Sequence, residues 1–340
     1  MPNCGKVLAR WLVRLKLFRP CAILIEYKDQ SRKSEAMMGL RFYTEPRLDN
    51  PVLIACWPGI GNIGIIAVDI LRRMVGAEDL GEIESWDFFY PRRVLIRDGE
   101  LKDLEFPSNK FYFKRTEKMD LLFFIGEEQP TDGTKAYAEG TKAYRMANLV
   151  LDVALKFGCR KVYTSGAAVA PIHHTARSRV WVVPNREDLI DEVKSYENTV
   201  LMSDIEGRDG QGNITGLNGL LLGVAKKRGL EAICVMGEIP IYIHGFPIPY
   251  PKGSKAVLEV LSTVLGIEVQ MDEINALVQQ SDREIESVYE RLPSEIREQL
   301  DKLKYVAYAR PNEPGPITEE DKKRILQEID RLFKKEPGRD

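Results

Sequence analysis

The sequence has little cysteine and no arrangement that would use it. Its 340 residues include five, Cys4, Cys21, Cys56, Cys159 and Cys234, scattered and without a C-x-x-C pair. That argues against a disulfide framework or a paired redox motif. Cys56, Cys159 and Cys234 lie in or beside apolar strand-like runs and read as small buried hydrophobes in a reducing compartment. No apolar run approaches the roughly 18–20 residues of a membrane span. No G-x-x-x-x-G-K-[ST] occurs, so phosphate-loop chemistry has no support. The three histidines show neither His-x-His nor H-E-x-x-H spacing, and no metal site is expected. No serine or cysteine sits in a nucleophile elbow. An excess of one charge is missing too. Lys+Arg (49) and Asp+Glu (51) leave a net charge of −2, which argues against a general affinity for nucleic acid.

What is present is the composition of a folded α/β protein, 44% hydrophobic and 29% charged. Residues 1–39 form a basic extension, with Lys6, Arg10, Arg14, Lys16 and Arg19 among Val7, Leu8, Trp11, Leu12, Leu15 and Phe18, and no acid before Glu26. They read as an amphipathic surface or targeting segment, or as an upstream start with Met37 or Met38 the true beginning. From Pro51 strands alternate with helices. Val52–Trp57, Leu121–Ile125, Lys161–Thr164, Val180–Val183, Thr199–Met202 and Ala232–Met236 read as strands. Helices are expected after Gly64, over about 134–157, 217–228 and 254–265. Between them, residues 86–115 read as hairpins, with Trp86–Tyr90 as one strand and Asp98-Gly99 as a turn. This rhythm implies a mainly parallel sheet covered on both faces. Residues 268–340 form a charged helical region, with Thr318 capping a last helix.

A glycine signature occurs twice, as Gly59-Ile60-Gly61-Asn62-Ile63-Gly64 and Gly210-Gln211-Gly212-Asn213-Ile214-Thr215-Gly216. The first follows a strand and precedes a helix, as a dinucleotide fingerprint does. Asp69, Glu78 and Asp79 come too early for the ribose-binding acid, and no second strand is expected before Glu82. The alternatives are a tight turn with close helix packing at Gly64, or an anion site. The second loop reads as an anion-holding nest or as a surface loop, with Asp204, Glu206 and Asp209 opposing phosphate.

Ligands of open parallel sheets sit outside the carboxyl ends of the strands. There the sequence places Pro58 to Asn62, Gly126 to Pro130, Ser165 to Ala168, Ser203 to Gly207 and Gly237 to Pro240. Gly59, Gly61, Asn62, Glu127, Gln129, Gly212, Asn213, Thr215 and Glu238 are the candidate ligand or interface residues. Glu127 and Glu238 each follow a strand as Gly-Glu. As a pair they would do acid–base work, and singly they would bind exposed N–H groups. His173 and His174 are expected to point in different directions.

Trp57-Pro58-Gly59-Ile60-Gly61-Asn62-Ile63-Gly64, Phe124 to Pro130, Tyr163 to Ala167, Gly212 to Gly219 and Met236 to Pro240 together resemble the PAC2 family, over about residues 40–267. The resemblance implies a three-layer α/β/α domain of nucleoside-phosphorylase-like type and a homo-oligomer, a trimer among the options. It implies an assembly chaperone or scaffold in the cytoplasm with a protein client, no cofactor and no evident catalysis. The alternative is a binder of, or enzyme on, a nucleoside- or carboxylate-type ligand. Archaeal members that dock on proteasomes end in a hydrophobic-Tyr-X tail. This chain reads Pro337-Gly338-Arg339-Asp340, so docking through the domain surface or a different client is expected.

Overall fold

In the computed structural model, residues 39–130, 140–201, 204–205, 212–306, 323 and 326–327 are described. Most of the last helix expected from Thr318 and most of the basic extension lie outside them, as do Cys4 and Cys21. Strand β2 (Val52–Cys56) is buried along its whole length. Its side chains alternate between two apolar cores, Val52, Ile54 and Cys56 facing one and Leu53 and Ala55 the other. A strand covered on both faces needs such a continuous apolar run.

Among the described residues the main sheet has nine strands. They are β1 (Leu40–Phe42), β2, β3 (Glu78–Ile83), β6 (Asn109–Lys114), β7 (Leu121–Gly126), β8 (Lys161–Ala170), β9 (Val180–Pro184), β10 (Thr199–Leu201) and β11 (Glu231–Pro240). Their spatial order is β1-β3-β6-β7-β2-β8-β11-β9-β10. The four central strands β7, β2, β8 and β11 are parallel. β1, β3 and β6 add an antiparallel margin, and β9 runs antiparallel to β11 with β10 parallel beside it.

Helices α1 (Ile63–Met74) and α5 (Pro251–Leu265) cover one face, α2 (Gly140–Lys156) and α4 (Gly216–Lys227) the other. The short α3 (Ile190–Lys194) packs beside β9 and β10. The result is the expected three-layer α/β/α arrangement. α1 follows Gly61 and Asn62, both with positive φ, which turn the chain sharply off β2. A Cβ at Gly64 would lie 2.8 Å from the Ser165 backbone, so only glycine lets α1 sit this close to β8. Beyond residue 267, α6 (Asp272–Glu290) and α7 (Ser294–Asp301) bury Ile274, Ile285, Ile296 and Leu300 in the same cluster as α1 and α5. Arg73 on α1 also bonds Glu273 on α6 (2.7 and 3.0 Å).

Three expectations need correction. A strand does begin before Glu82: β3, whose sequence Glu-Asp-Leu-Gly-Glu-Ile buries only Leu80, Gly81 and Ile83 well and so lacks an apolar run. With β7 and β6 between it and β2, it stands about 14 Å away, too far for its acids to serve a ribose beside the glycine loop. Trp86–Tyr90 is not a strand. The Ser85 carbonyl accepts from Phe88 N and Phe89 N (3.0 and 2.9 Å), a helical turn that sends only Phe88 into the core. Ser165–Ala168 and Gly237–Pro240 are not loops. They lie within β8 and β11, which pair in register as far as Ala170 and Pro240.

The remaining hairpin is real but separate. β4 (Arg93–Arg97) and β5 (Glu100–Glu105) form their own two-stranded sheet. Asp98 and Gly99 both have positive φ, as a two-residue primed turn requires.

Candidate functional site: a crevice at the strand ends

β2 stops pairing with β8 at Ala55–Thr164, while β8 continues to Ala170 alongside β11. The overhang leaves one edge of β8 without a strand neighbour. A cavity of about 220 Å³ occupies it. Gly59 and Ile60 line it from the first glycine loop, and Gln129 from the segment after β7. Gly166 to Val169, Met236 and Trp181 form the sheet side. Asn213, Ile214, Thr215 and Asn218 form the side of α4.

Two amides set this geometry. Gln129 Nε2 donates to the Pro58 carbonyl (2.6 Å), and its Oε1 accepts from Leu217 N (2.8 Å). Thr215, the N-cap of α4, makes no side-chain cap bond, so Gln129 caps this helix from across the crevice. Asn218, buried in α4, satisfies both backbone groups of Trp57 (3.2 and 3.3 Å), and its carbonyl accepts from Thr164 Oγ1 (2.9 Å). The ends of β2 and β7 and the middle of β8 are thus tied to the start of α4. Among the described residues, the cavity wall carries no ionisable side chain. It offers amide and hydroxyl hydrogen bonds, an indole and small apolar groups.

Of the residues singled out in sequence, Gly59, Gln129, Asn213 and Thr215 line this cavity. Gly61 and Asn62 belong to the adjoining turn, where the Gly61 carbonyl accepts from Tyr250 N (2.8 Å). Gly212 is exposed just ahead of Asn213. Gly210, Gln211, Glu206 and Asp209 lie outside the described residues.

Glu127 and Glu238 are not brought together, because β7 and β11 are three strand spacings apart, about 14 Å. Glu127 accepts from Ser108 N and Arg92 (both 2.9 Å). Glu238 is 0% exposed, and its oxygens accept from Trp181 Nε1 (2.8 Å) and Arg179 N (2.9 Å), with the Arg179 guanidinium at 3.5 Å. Its carboxylate therefore positions the Trp181 ring that walls the crevice. Trp181, Ile214, Asn218 and Met236 were not singled out. The only signal for Asn218 was its place in the Gly212 to Gly219 stretch that resembles the PAC2 family.

The histidine pair lies in a second polar cluster, at the joint between the sheet and α6–α7. The two rings face each other with centroids 4.1 Å apart, contrary to the expectation that they diverge. His174 Nδ1 meets the Tyr242 hydroxyl (2.7 Å) and Nε2 meets Glu286 (3.0 Å). His173 Nδ1 meets Thr175 Oγ1 (2.8 Å), and its Nε2 lies 3.7 Å from Asp301. Burial first, then His174 and Lys304, pull His173 down to about 4. Burial likewise lowers His174. The thiols of Cys56, Cys159 and Cys234 are free, buried and pushed up by burial. Among the described residues no helix is long and apolar enough to cross a membrane.

The profile of the PAC2 family matches residues 53–289. The chain belongs to the PAC2 family. The match takes in α6, beyond the 267 boundary drawn from sequence. This PAC2 chain is 28% identical over 242 residues to the uncharacterized protein MJ1210 of Methanocaldococcus jannaschii, covering 71% of the chain and 84% of that protein. It is similar to Pyrococcus furiosus PbaB, described as an archaeal proteasome activator, at 28% identity and a TM-score of 0.61. That similarity covers 73% of this chain and 97% of PbaB. Pyrococcus furiosus PbaA, described as an archaeal homolog of proteasome-assembly chaperone, shares the fold at 21% identity and a TM-score of 0.54. It covers 78% of this PAC2 chain and 97% of PbaA.

Proposed function

We propose that this PAC2 protein is a cytoplasmic, self-associating assembly chaperone or scaffold that works without catalysis, with the proteasome core particle as its protein partner. The observation that carries the proposal is the similarity to PbaB, which spans nearly the whole of that protein. The chemistry of the candidate residues supports it. Glu127, Glu238 and His174 spend their polar atoms on internal partners, and the described crevice wall has no group to move a proton. The test is native mass measurement of the full chain, alone and mixed with the proteasome core particle of the same organism. An oligomer that shifts to a heavier complex is expected. A chain that stays monomeric and never co-migrates would refute the proposal.

The crevice itself favours a second reading, a site for a small neutral or nucleoside-like ligand. Gly166 has no atom but Met236 Cγ (3.8 Å) near its missing Cβ, so Gly166→Leu would fill the space. A thermal shift with a nucleoside or carboxylate panel, present in the native chain and absent in Gly166→Leu, would establish this reading. No shift in either removes it.

A further inference from the structure

We infer that the β4–β5 hairpin is a self-association surface, on which β5 of one copy pairs antiparallel with β5 of a second. The inference rests on the self-association proposed above and names the surface that carries it.

Among the described residues the hairpin pairs with no other strand, so both of its ladder edges are open. A lone two-stranded hairpin is marginally stable in water. This one nevertheless holds four aliphatic side chains in solvent: Val94 53%, Ile96 67%, Leu101 65% and Leu104 43% exposed. Val94 opposes Leu104 and Ile96 opposes Leu101. A bulge between these pairs keeps all four on one face, since β4 residues two apart share a face. A contiguous exposed apolar face of this kind marks an interaction site. Its base is fixed, because Arg92 bonds both Glu127 and Glu128 at the end of β7 (2.9 and 2.7 Å).

The charges around that face admit a second copy as the partner. Residues 92–105 carry four basic side chains (Arg92, Arg93, Arg97, Lys102) and four acidic ones (Asp98, Glu100, Asp103, Glu105), with no net charge. Such a surface attracts neither polyanion nor polycation, and it can meet its own copy without repulsion, as a twofold contact requires. The two edges differ in how they suit that contact. A β4–β4 pairing centred on Leu95 would set Arg93 against the partner's Arg97. A β5–β5 pairing centred between Lys102 and Asp103 sets Lys102, which bonds Glu100 within one copy (2.7 Å), against the partner's Asp103 and Leu101 against the partner's Leu104. Opposite charges and apolar pairs placed directly across are the favourable cross-strand combinations. The joined hairpins make a four-stranded sheet with one continuous apolar face.

The test is the solution mass of the full chain by light scattering after gel filtration, with melting temperature as the check on folding. Leu101→Lys is expected to halve the mass of the assembly at an unchanged melting temperature, because Leu101 is exposed within a single copy. The double variant Leu101→Lys, Leu104→Glu is expected to restore the mass, since each Lys then faces the partner's Glu. A Leu101→Lys protein of undiminished mass overturns the hairpin as the surface while leaving self-association intact. A double variant that stays dissociated overturns the β5–β5 register. A native chain that is monomeric throughout overturns both the hairpin and the self-association on which it rests.

Discussion

Acidification to pH 5 should weaken this protein through His173, by an amount that the burial of that ring sets. The ring is 1% exposed and faces His174, Tyr242 and Tyr289, with Asp301, Glu286 and Lys304 around it. Its ordinary value of 6.5 falls to about 4 in the fold, because the buried site disfavours the charged ring. Below pH 6.5 the unfolded chain therefore takes up a proton that the folded chain refuses until about pH 4. The stability this neutral ring confers is complete above 6.5 and drains as the pH falls toward 4. By linkage, His173 alone removes about 2 kcal/mol between pH 7.5 and pH 5, and about 3 kcal/mol once the pH is below 4. Asp301, held low by Lys304 and Tyr289, contributes in the same direction at lower pH, so the native slope alone is not diagnostic. His173→Asn keeps a hydrogen-bonding group for Thr175 and removes the titration. Urea unfolding of both proteins at pH 7.5 and pH 5 should show the native chain losing about 2 kcal/mol more than the variant. Equal losses, or a His173 ring resonance that titrates above pH 6, would refute the reasoning.

Other perturbations separate structural bonds from surface ones. Gln129→Ala removes the bond to Pro58 and the cap on Leu217, and should cost about 1–3 kcal/mol in chemical denaturation. Glu238→Gln sets an amide N–H against Trp181 Nε1–H or Arg179 N–H, so a loss of at least ~2 kcal/mol and an altered Trp fluorescence maximum are expected. Gly64→Ala drives a methyl against the Ser165 backbone, and its melting temperature should fall by several degrees, by the ~1–3 kcal/mol of an overpacked core. Arg73→Ala breaks a pair with Glu273 whose side chains are both more than two-fifths exposed, and should cost under ~1 kcal/mol by the same assay.

The layer architecture was legible because β2, β7 and β11 are buried on both faces and carry unbroken apolar runs. Periodicity likewise marked the helices that cover them. β3 escaped notice because a marginal strand with few buried side chains has no run to show. Trp86–Tyr90 misled because an aromatic cluster satisfies a strand pattern even when Phe88 enters the core, Phe89 packs at its margin, and Trp86 and Tyr90 stay in solvent. Gly166 and Gly237 read as loop residues, yet they sit where β8 and β11 outrun β2, a place that asks for small side chains. There a Cβ at Gly237 would lie 2.4 Å from the Gly253 carbonyl of α5. The crevice was located by the rule that ligands gather at strand ends, and Gln129 was found on those grounds. Its two partners, 71 and 88 residues away in sequence, could be found only from the fold. The same holds for Glu238, whose Gly-Glu setting suggested a strand-end acid although β11 runs on past it.

The twin glycine segments accordingly play unequal parts. The first makes a turn that admits α1 to the sheet, and the second leads into a helix capped by Gln129. The claim that depends most on this account is that the protein acts by holding other chains. Its most direct test is the native mass of the full chain, alone and with the proteasome core particle of its own organism. A self-associated species that moves into a heavier complex is expected. A monomer whose mass is unchanged by the core particle would contradict it.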